Sequence, residues 1–247
     1  MKKIFAIVLN FVSVILVGIS FGLGALPMSE AYGLEDAPIG NFYETVWCVS
    51  NGHYSVGSIV LFFLLCIGAL IVTITLFMNS KKHKAVFFDR DGTLNVDTHY
   101  LHLMEDFIWT PEARQAVKYC NDLGYKVIVI TNQSGIARGY YPPSDVMDLH
   151  VWMNQKLSDI GAHLDGIYFC PHHVKGTISR YARECDCRKP SPKLVFNAAQ
   201  DFDIDLSASY FVGDSDKDME CAKNAGVTGI HYQYGKSLLK IVQENIR

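Results

Sequence analysis

Basic residues are missing from most of the first third of the chain: no lysine or arginine occurs between Lys3 and Lys81. Acids are scarce there too, with only Glu30, Glu35, Asp36 and Glu44 in residues 1–80. Charge is absent altogether from residues 4–26 and 56–78, two apolar runs of 23 residues. An excess of one sign is lacking as well. The 247 residues carry 22 basic and 25 acidic side chains, and residues 81–247 carry 20 and 21 of these. That near-neutral second part excludes the basic face on which nucleic-acid binding depends.

Each apolar run would be about 35 Å long as a helix, enough to cross a hydrocarbon core of about 30 Å. Lys2 and Lys3 precede the first run, and Lys81, Lys82 and Lys84 follow the second. By the positive-inside rule both ends lie in the cytoplasm, with the acidic loop 27–55 outside. Phe42, Tyr43, Trp47 and Tyr54 of that loop are suited to the membrane interface. Residues 1–80 are therefore expected to form a membrane hairpin, and 81–247 a cytoplasmic domain. A cleaved signal peptide is the alternative for the first run, with Ser29-Glu30-Ala31 as the cleavage site. Its length exceeds the usual 7–15 apolar residues of such peptides, which favours an uncleaved anchor. Gly18 and Gly22 form a small-xxx-small pair through which the two helices could pack.

From residue 84 onward short apolar strands alternate with helices. Strands are expected at 84–88, 126–130, 164–169, 210–212 and 228–231, and helices at 111–123, 143–160, 193–200, 217–225 and from 237. The run Lys126 to Ile130 is almost continuously β-branched, as in a strand covered on both faces. Alternation of this kind predicts an α/β fold with a Rossmann-like open parallel sheet and helices on both faces, its ligand beyond the C-terminal strand ends.

The unusual residues fall at those ends. The first strand runs into Asp89-Arg90-Asp91-Gly92-Thr93. Carboxylates at i and i+2 of an extended chain share one side, where they can hold a divalent cation or divide nucleophile and acid–base roles. A polar turn is the bland reading of that motif alone. The second strand ends in Thr131-Asn132-Gln133-Ser134-Gly135, a hydroxyl followed by backbone N–H groups suited to phosphate oxygens. Gly213-Asp214-Ser215-Asp216-Lys217-Asp218 ends a later strand and adds carboxylates, and Arg188-Lys189 is a basic pair able to offset phosphate charge. Together these predict a magnesium–phosphate site.

Cys170, His172, Cys185 and Cys187 form C-x-H-x12-C-x-C. Three thiols and an imidazole suit tetrahedral Zn²⁺, whereas neighbouring C-x-C thiols are poorly placed to bond each other. His173 is a rival ligand on spacing. With four protein ligands the zinc would be structural, fixing the loop 170–187 that leads to Arg188 and Lys189. Cys120 and Cys221 fall on apolar helical faces and read as core.

Four stretches, Phe88 to Asn95 (FDRDGTLN), Thr131 to Gly139 (TNQSGIARG), Cys170 to Pro192 (CPHH…CDCRKPSP) and Val212 to Met219, agree in order and spacing with one family. From Val86 to about Val227 the chain resembles the haloacid dehalogenase (HAD) superfamily. Within it, the chain is similar to the D-glycero-D-manno-heptose 1,7-bisphosphate phosphatase and histidinol-phosphatase group. The resemblance implies that Asp89 attacks phosphorus to form an aspartyl phosphate and that Asp91 is the general acid and base. It also implies Mg²⁺ held by Asp89, the Asp91 backbone carbonyl and Asp214, with Thr131, Asn132 and Lys189 cradling the phosphoryl oxygens. Asp97, Thr98, His99, Tyr100, Gln133, Ser134 and Arg188 are expected at the substrate, Arg188 on a second phosphate. No insertion long enough for a large cap domain follows Asp91 or the second motif, so the site is expected to be open to a small phosphorylated metabolite.

Two departures stand out: Ser215 where the heptose group commonly has lysine, and Lys193-Leu194 where it has Gly-Met. Histidinol phosphate is the rival substrate. A membrane-tethered binding module on an inactive phosphatase fold is the rival of another class, and the intact set Asp89, Asp91, Lys189 and Asp214 speaks against it.

Overall fold

The computed structural model describes Leu64, residues 66–71 and residues 82–246. Among the described residues no helix is long and apolar enough to cross a membrane. The first expected span, 4–26, and the external loop 27–55 lie outside them, as does most of 56–78. Lys82–Arg247 forms one compact unit.

Five parallel strands make one sheet: β1 (Ala85–Phe88), β2 (Lys126–Asn132), β3 (Gly166–Cys170), β4 (Tyr210–Gly213) and β5 (Thr228–His231). Their order is β3-β2-β1-β4-β5. The chain thus builds outward from β1 on one side, then returns to build outward on the other. Between β1 and β4 the winding reverses, and at such a switch point the loops beyond the C-terminal ends part to leave a crevice.

Successive side chains of a strand face opposite ways, and β1 shows the consequence. Val86 and Phe88 enter a core with helices α1 (Ala113–Asp122), α3 (Pro143–Ser158) and α6 (Leu238–Asn245). Ala85 and Phe87 enter a second core with α4 (Lys193–Phe202) and α5 (Asp216–Ala225). Both faces are covered, so β1 tolerates no polar residue until it ends.

Differences from the sequence expectation are local. β2 continues through Thr131 and Asn132, which pair with Phe169 and Cys170 of β3. Residues Ser134–Arg138, read as loop, form a short helix, α2, closed by Gly139 at φ 76°. The third helix ends at Ser158 rather than 160 because Gly161, at φ 69°, turns the chain.

Candidate active site

The ends of β1 and β4 carry the carboxylates. Asp89 follows β1 directly, and its N–H bonds to the Val212 carbonyl at 2.9 Å, which carries the β1–β4 ladder one residue further. Next the chain turns tightly: Leu94 and Asn95 N–H both return to the Arg90 carbonyl, at 2.9 and 3.1 Å. Gly92 sits in this turn at φ 90°, and a Cβ there would lie 2.2 Å from Asp214 Oδ2. Only glycine lets the β4 carboxylate approach the β1 loop so closely.

Asp89, Asp214 and Asp218 place one carboxylate oxygen each within 4.8 Å of one another. Lys189 Nζ lies 2.7 Å from Asp89 Oδ1 and 2.6 Å from Asp218 Oδ1. The lysine is only 4% exposed. Burial opposes its charge, but Asp89 and Asp218 outweigh burial and hold its pKa above the usual lysine value. One ammonium is too little for three carboxylates. Burial, helped by Asp218 and Asp91 and opposed by Lys189, pushes Asp89 up to about 7. Asp214 is raised as well, by burial first and then by Asp218. Carboxylates held off their ordinary range for want of positive charge fit a divalent cation.

Asp218 was not singled out by sequence. Its Oδ2 takes hydrogen bonds from the N–H and hydroxyl of Ser215, at 3.1 and 2.6 Å, where α5 begins, so its Oδ1 is fixed toward Lys189. Ser215, the departure from the family pattern, is therefore spent on capping. The i+3 spacing of Ser215 and Asp218 is a capping-box signal legible in the sequence.

The second motif does two jobs. Thr131 is buried at the β2 end. Asn132, expected on phosphoryl oxygens, pairs instead with both backbone groups of Lys189: its Nδ2 donates to the carbonyl at 3.2 Å and its Oδ1 accepts from the N–H at 3.0 Å. Gln133, expected at the substrate, is buried with its amide engaged by Asp91, Thr131 and Tyr141. Each amide satisfies partners that would otherwise go unpaired, Gln133 buried and Asn132 half-buried. Ser134 opens α2, half-buried.

The loop after β1 is exposed. Asp97 Oδ1 accepts from the His99 N–H at 2.9 Å, and His99 and Tyr100 both adopt left-handed backbone, at φ 61° and 56°. The His99 side chain is 87% exposed, whereas Tyr100 packs edge-on to Tyr140 at 4.7 Å, with Arg138 over its ring. Thr98 is exposed beside them.

Beyond β3, Cys170, His172, Cys185 and Cys187 bring their ligand atoms within 4.8 Å of one another. Cys170 Sγ lies 3.5 and 3.3 Å from the sulfurs of Cys185 and Cys187, and His172 Nδ1 lies 3.3 Å from Cys187 Sγ. His173 stands apart, its Nδ1 accepting from the Lys175 N–H at 3.0 Å. Arg188 donates to the His172 carbonyl at 3.2 Å.

This site and fold have known counterparts. A family model described as HAD-hydrolase-like matches residues 186–246. The D-glycero-β-D-manno-heptose-1,7-bisphosphate 7-phosphatase of Rhodopseudomonas palustris is 41% identical over 155 residues, 63% of this chain and 86% of that protein. The chain belongs to the HAD-like phosphatase family. The protein of the same name from Haemophilus ducreyi is 45% identical over 157 residues, again 63% of this chain and 86% of its own length. Among solved structures, the D,D-heptose 1,7-bisphosphate phosphatase of B. bronchiseptica, complexed with magnesium and phosphate, superposes with a TM-score of 0.59 at 28% identity. That match covers 65% of this chain and 97% of that one. As a HAD-like phosphatase, the chain is a phosphoric monoester hydrolase.

A divalent cation held by Asp89 would compete there with a proton. The Asp89 pKa is raised by folding, so the folded state binds a proton that the unfolded state has already lost between about pH 4 and 7. Stability from this group is therefore greatest near the acid end of that window and declines as pH rises through it. The matching expectation is that Mg²⁺ affinity, measured by calorimetry, weakens by up to about tenfold per pH unit below 7. Binding should release a proton, and Asp89→Asn should abolish that release. A pH-independent affinity between pH 5 and 8 would contradict this picture.

Proposed function

We propose that this phosphatase hydrolyses D-glycero-D-manno-heptose 1,7-bisphosphate at the 7-phosphate through an aspartyl-phosphate intermediate. One observation carries the reading: Asp89 and Asp91 leave β1 side by side, with Asp214 and Lys189 closing on Asp89 from β4 and the cysteine-rich loop. The names of relatives more than 40% identical support the substrate.

An Asp89 oxygen attacks phosphorus while the bond to the leaving sugar oxygen breaks, and Asp91 gives that oxygen its proton. Asp91 then draws a proton from the water that attacks the aspartyl phosphate, releasing phosphate and restoring Asp89. Lys189 and the Thr131 hydroxyl face the phosphoryl oxygens, whose negative charge is spread in the transition state. Asn132 acts through Lys189, whose backbone it clamps. Mg²⁺, held by Asp89, Asp214 and the Asp91 carbonyl, would supply the positive charge that lets an anionic nucleophile meet a phosphate dianion. Asp97, Thr98, His99, Tyr100 and Arg188 would recognise the sugar and its second phosphate.

Asp89→Asn should lower turnover by about 10⁴-fold or more with an unchanged circular dichroism spectrum, and residual activity near wild type would remove Asp89 from its role. Wild-type kcat/KM for the heptose bisphosphate should exceed that for histidinol phosphate by at least about tenfold, in keeping with the relatives' names. The reverse order would overturn the substrate.

The four-ligand set of Cys170, His172, Cys185 and Cys187 is proposed to hold structural Zn²⁺, leaving no position for water. Lys189 lies two residues past Cys187, so zinc would fix the loop that delivers it. Cys185→Ser should reduce both zinc content and turnover. A zinc-free protein with full activity would refute this role.

Residues 4–26 and 56–78 are further proposed to anchor the enzyme as a membrane hairpin with the catalytic unit and both termini in the cytoplasm. Their support is the charge pattern alone. Cys48, in the external loop, should react with a membrane-impermeant maleimide in intact cells, and labelling only after lysis would contradict that orientation.

A further inference from the structure

Both oxygens of Asp91 are held. Oδ1 accepts from Arg90 Nε at 3.1 Å, Arg90 Nη2 at 2.9 Å and Asn95 Nδ2 at 3.1 Å. Oδ2 accepts from Arg90 Nη2 at 3.0 Å and Gln133 Nε2 at 2.8 Å. Arg90, Asn95 and Gln133 are all buried. A carboxylate on a loop ordinarily rotates about its Cβ–Cγ bond, and donors on both oxygens remove that freedom.

Each donor is in turn locked. Arg90 Nη2 also donates to the Leu101 carbonyl at 2.9 Å, and Nη1 lies 3.3 Å from His150 Nε2. Arginine has only donors, so His150 must accept there with a neutral ring. Burial, and then the Arg90 charge, lower the His150 pKa to about 3 and keep that ring neutral. Gln133 Nε2 donates a second bond to Thr131 Oγ1 at 2.9 Å, and its Oε1 accepts from the Tyr141 hydroxyl at 3.0 Å. Burial pushes Tyr141 up to about 12, so its hydroxyl keeps its proton. The Asp91 carboxylate can only accept, so Gln133 must present N–H to it, which leaves Oε1 to take the Tyr141 hydroxyl.

A wholly buried guanidinium is costly to desolvate, and a plain stabilising role would be served as well by apolar residues. Here the guanidinium fork is aimed at its neighbour in sequence, the group beside the nucleophile. We infer that Arg90 and Gln133, locked by His150 and Tyr141, are positioning residues that set the orientation of the Asp91 carboxylate for proton transfer to the leaving oxygen. This rests on the reaction proposed above, in which Asp91 handles that proton.

Leaving-group dependence separates this role from a merely structural one, because kcat/KM reports only steps up to formation of the aspartyl phosphate. Tyr141→Phe and Arg90→Lys are compared with wild type on phosphate monoesters ranging from 4-nitrophenyl to alkyl. The variant-to-wild-type ratio of kcat/KM should stay near one for 4-nitrophenyl phosphate, whose leaving group departs without a proton. It should fall with rising leaving-group basicity, to about 10⁻² for alkyl phosphates in Arg90→Lys and about 10⁻¹ in Tyr141→Phe. KM should change by less than about threefold. If circular dichroism shows Arg90→Lys unfolded, Tyr141→Phe decides. A ratio equal across leaving groups overturns the positioning role while the wild type remains an active phosphatase. A wild type without Asp89-dependent turnover on any monoester overturns the phosphatase reading and this inference with it.

Discussion

Everything at the switch point depends on one buried ammonium shared by two carboxylates. Taking Lys189 out of water costs several kcal/mol. A single ion pair at about 4 Å returns only about 4 kcal/mol at an effective dielectric of 20. One partner would leave the charge in doubt, whereas Asp89 and Asp218, at 2.7 and 2.6 Å, hold it firmly. Asp218 is thus as necessary to the lysine as the nucleophile is. Its other oxygen is fixed by Ser215, so the start of α5 sets the position of Lys189. The opposite side of the lysine is fixed through its backbone by Asn132.

That arrangement leaves the site short of positive charge, and the shortage accounts for its chemistry. Arg90 is committed to Asp91. Burial first, and then neighbouring acids, raise Asp89 and Asp214 above the ordinary carboxylate range, as suits a site that would take a cation. Two carboxylates two residues apart thus receive opposite treatment, one short of counter-charge and the other surrounded by donors.

Much of this was legible in the sequence, and for physical reasons. Ala85–Phe88 is wholly apolar because both faces of β1 are covered, so the abrupt appearance of Asp89 marks a strand end. Gly92 betrays the close approach of the two acidic loops, and Gly213 the tight fold of its own, since a Cβ at Gly213 would meet Asp218 at 2.4 Å. What stayed hidden were side-chain pairings. His150 lies 60 residues from Arg90, and nothing local marks Tyr141, 8 residues on, as the partner of Gln133. Asn132 reads as a phosphoryl contact and Gln133 as a substrate contact, and residue type does not show that they also bond Lys189 and Asp91. Spacing likewise left His172 and His173 equal until the fold turned one toward the thiols and the other toward Lys175.

The central claim is that an Asp89 oxygen, beside Lys189 and a cation, is the group that takes up phosphorus. A crystal structure of the catalytic enzyme with Mg²⁺ and beryllium fluoride tests it most directly. The account predicts a trifluoroberyllate bonded to an Asp89 oxygen, with Lys189 Nζ against a fluoride and Mg²⁺ between Asp89 and Asp214. An adduct on another residue, or fully occupied fluoride and magnesium elsewhere with Asp89 still bare, would contradict it.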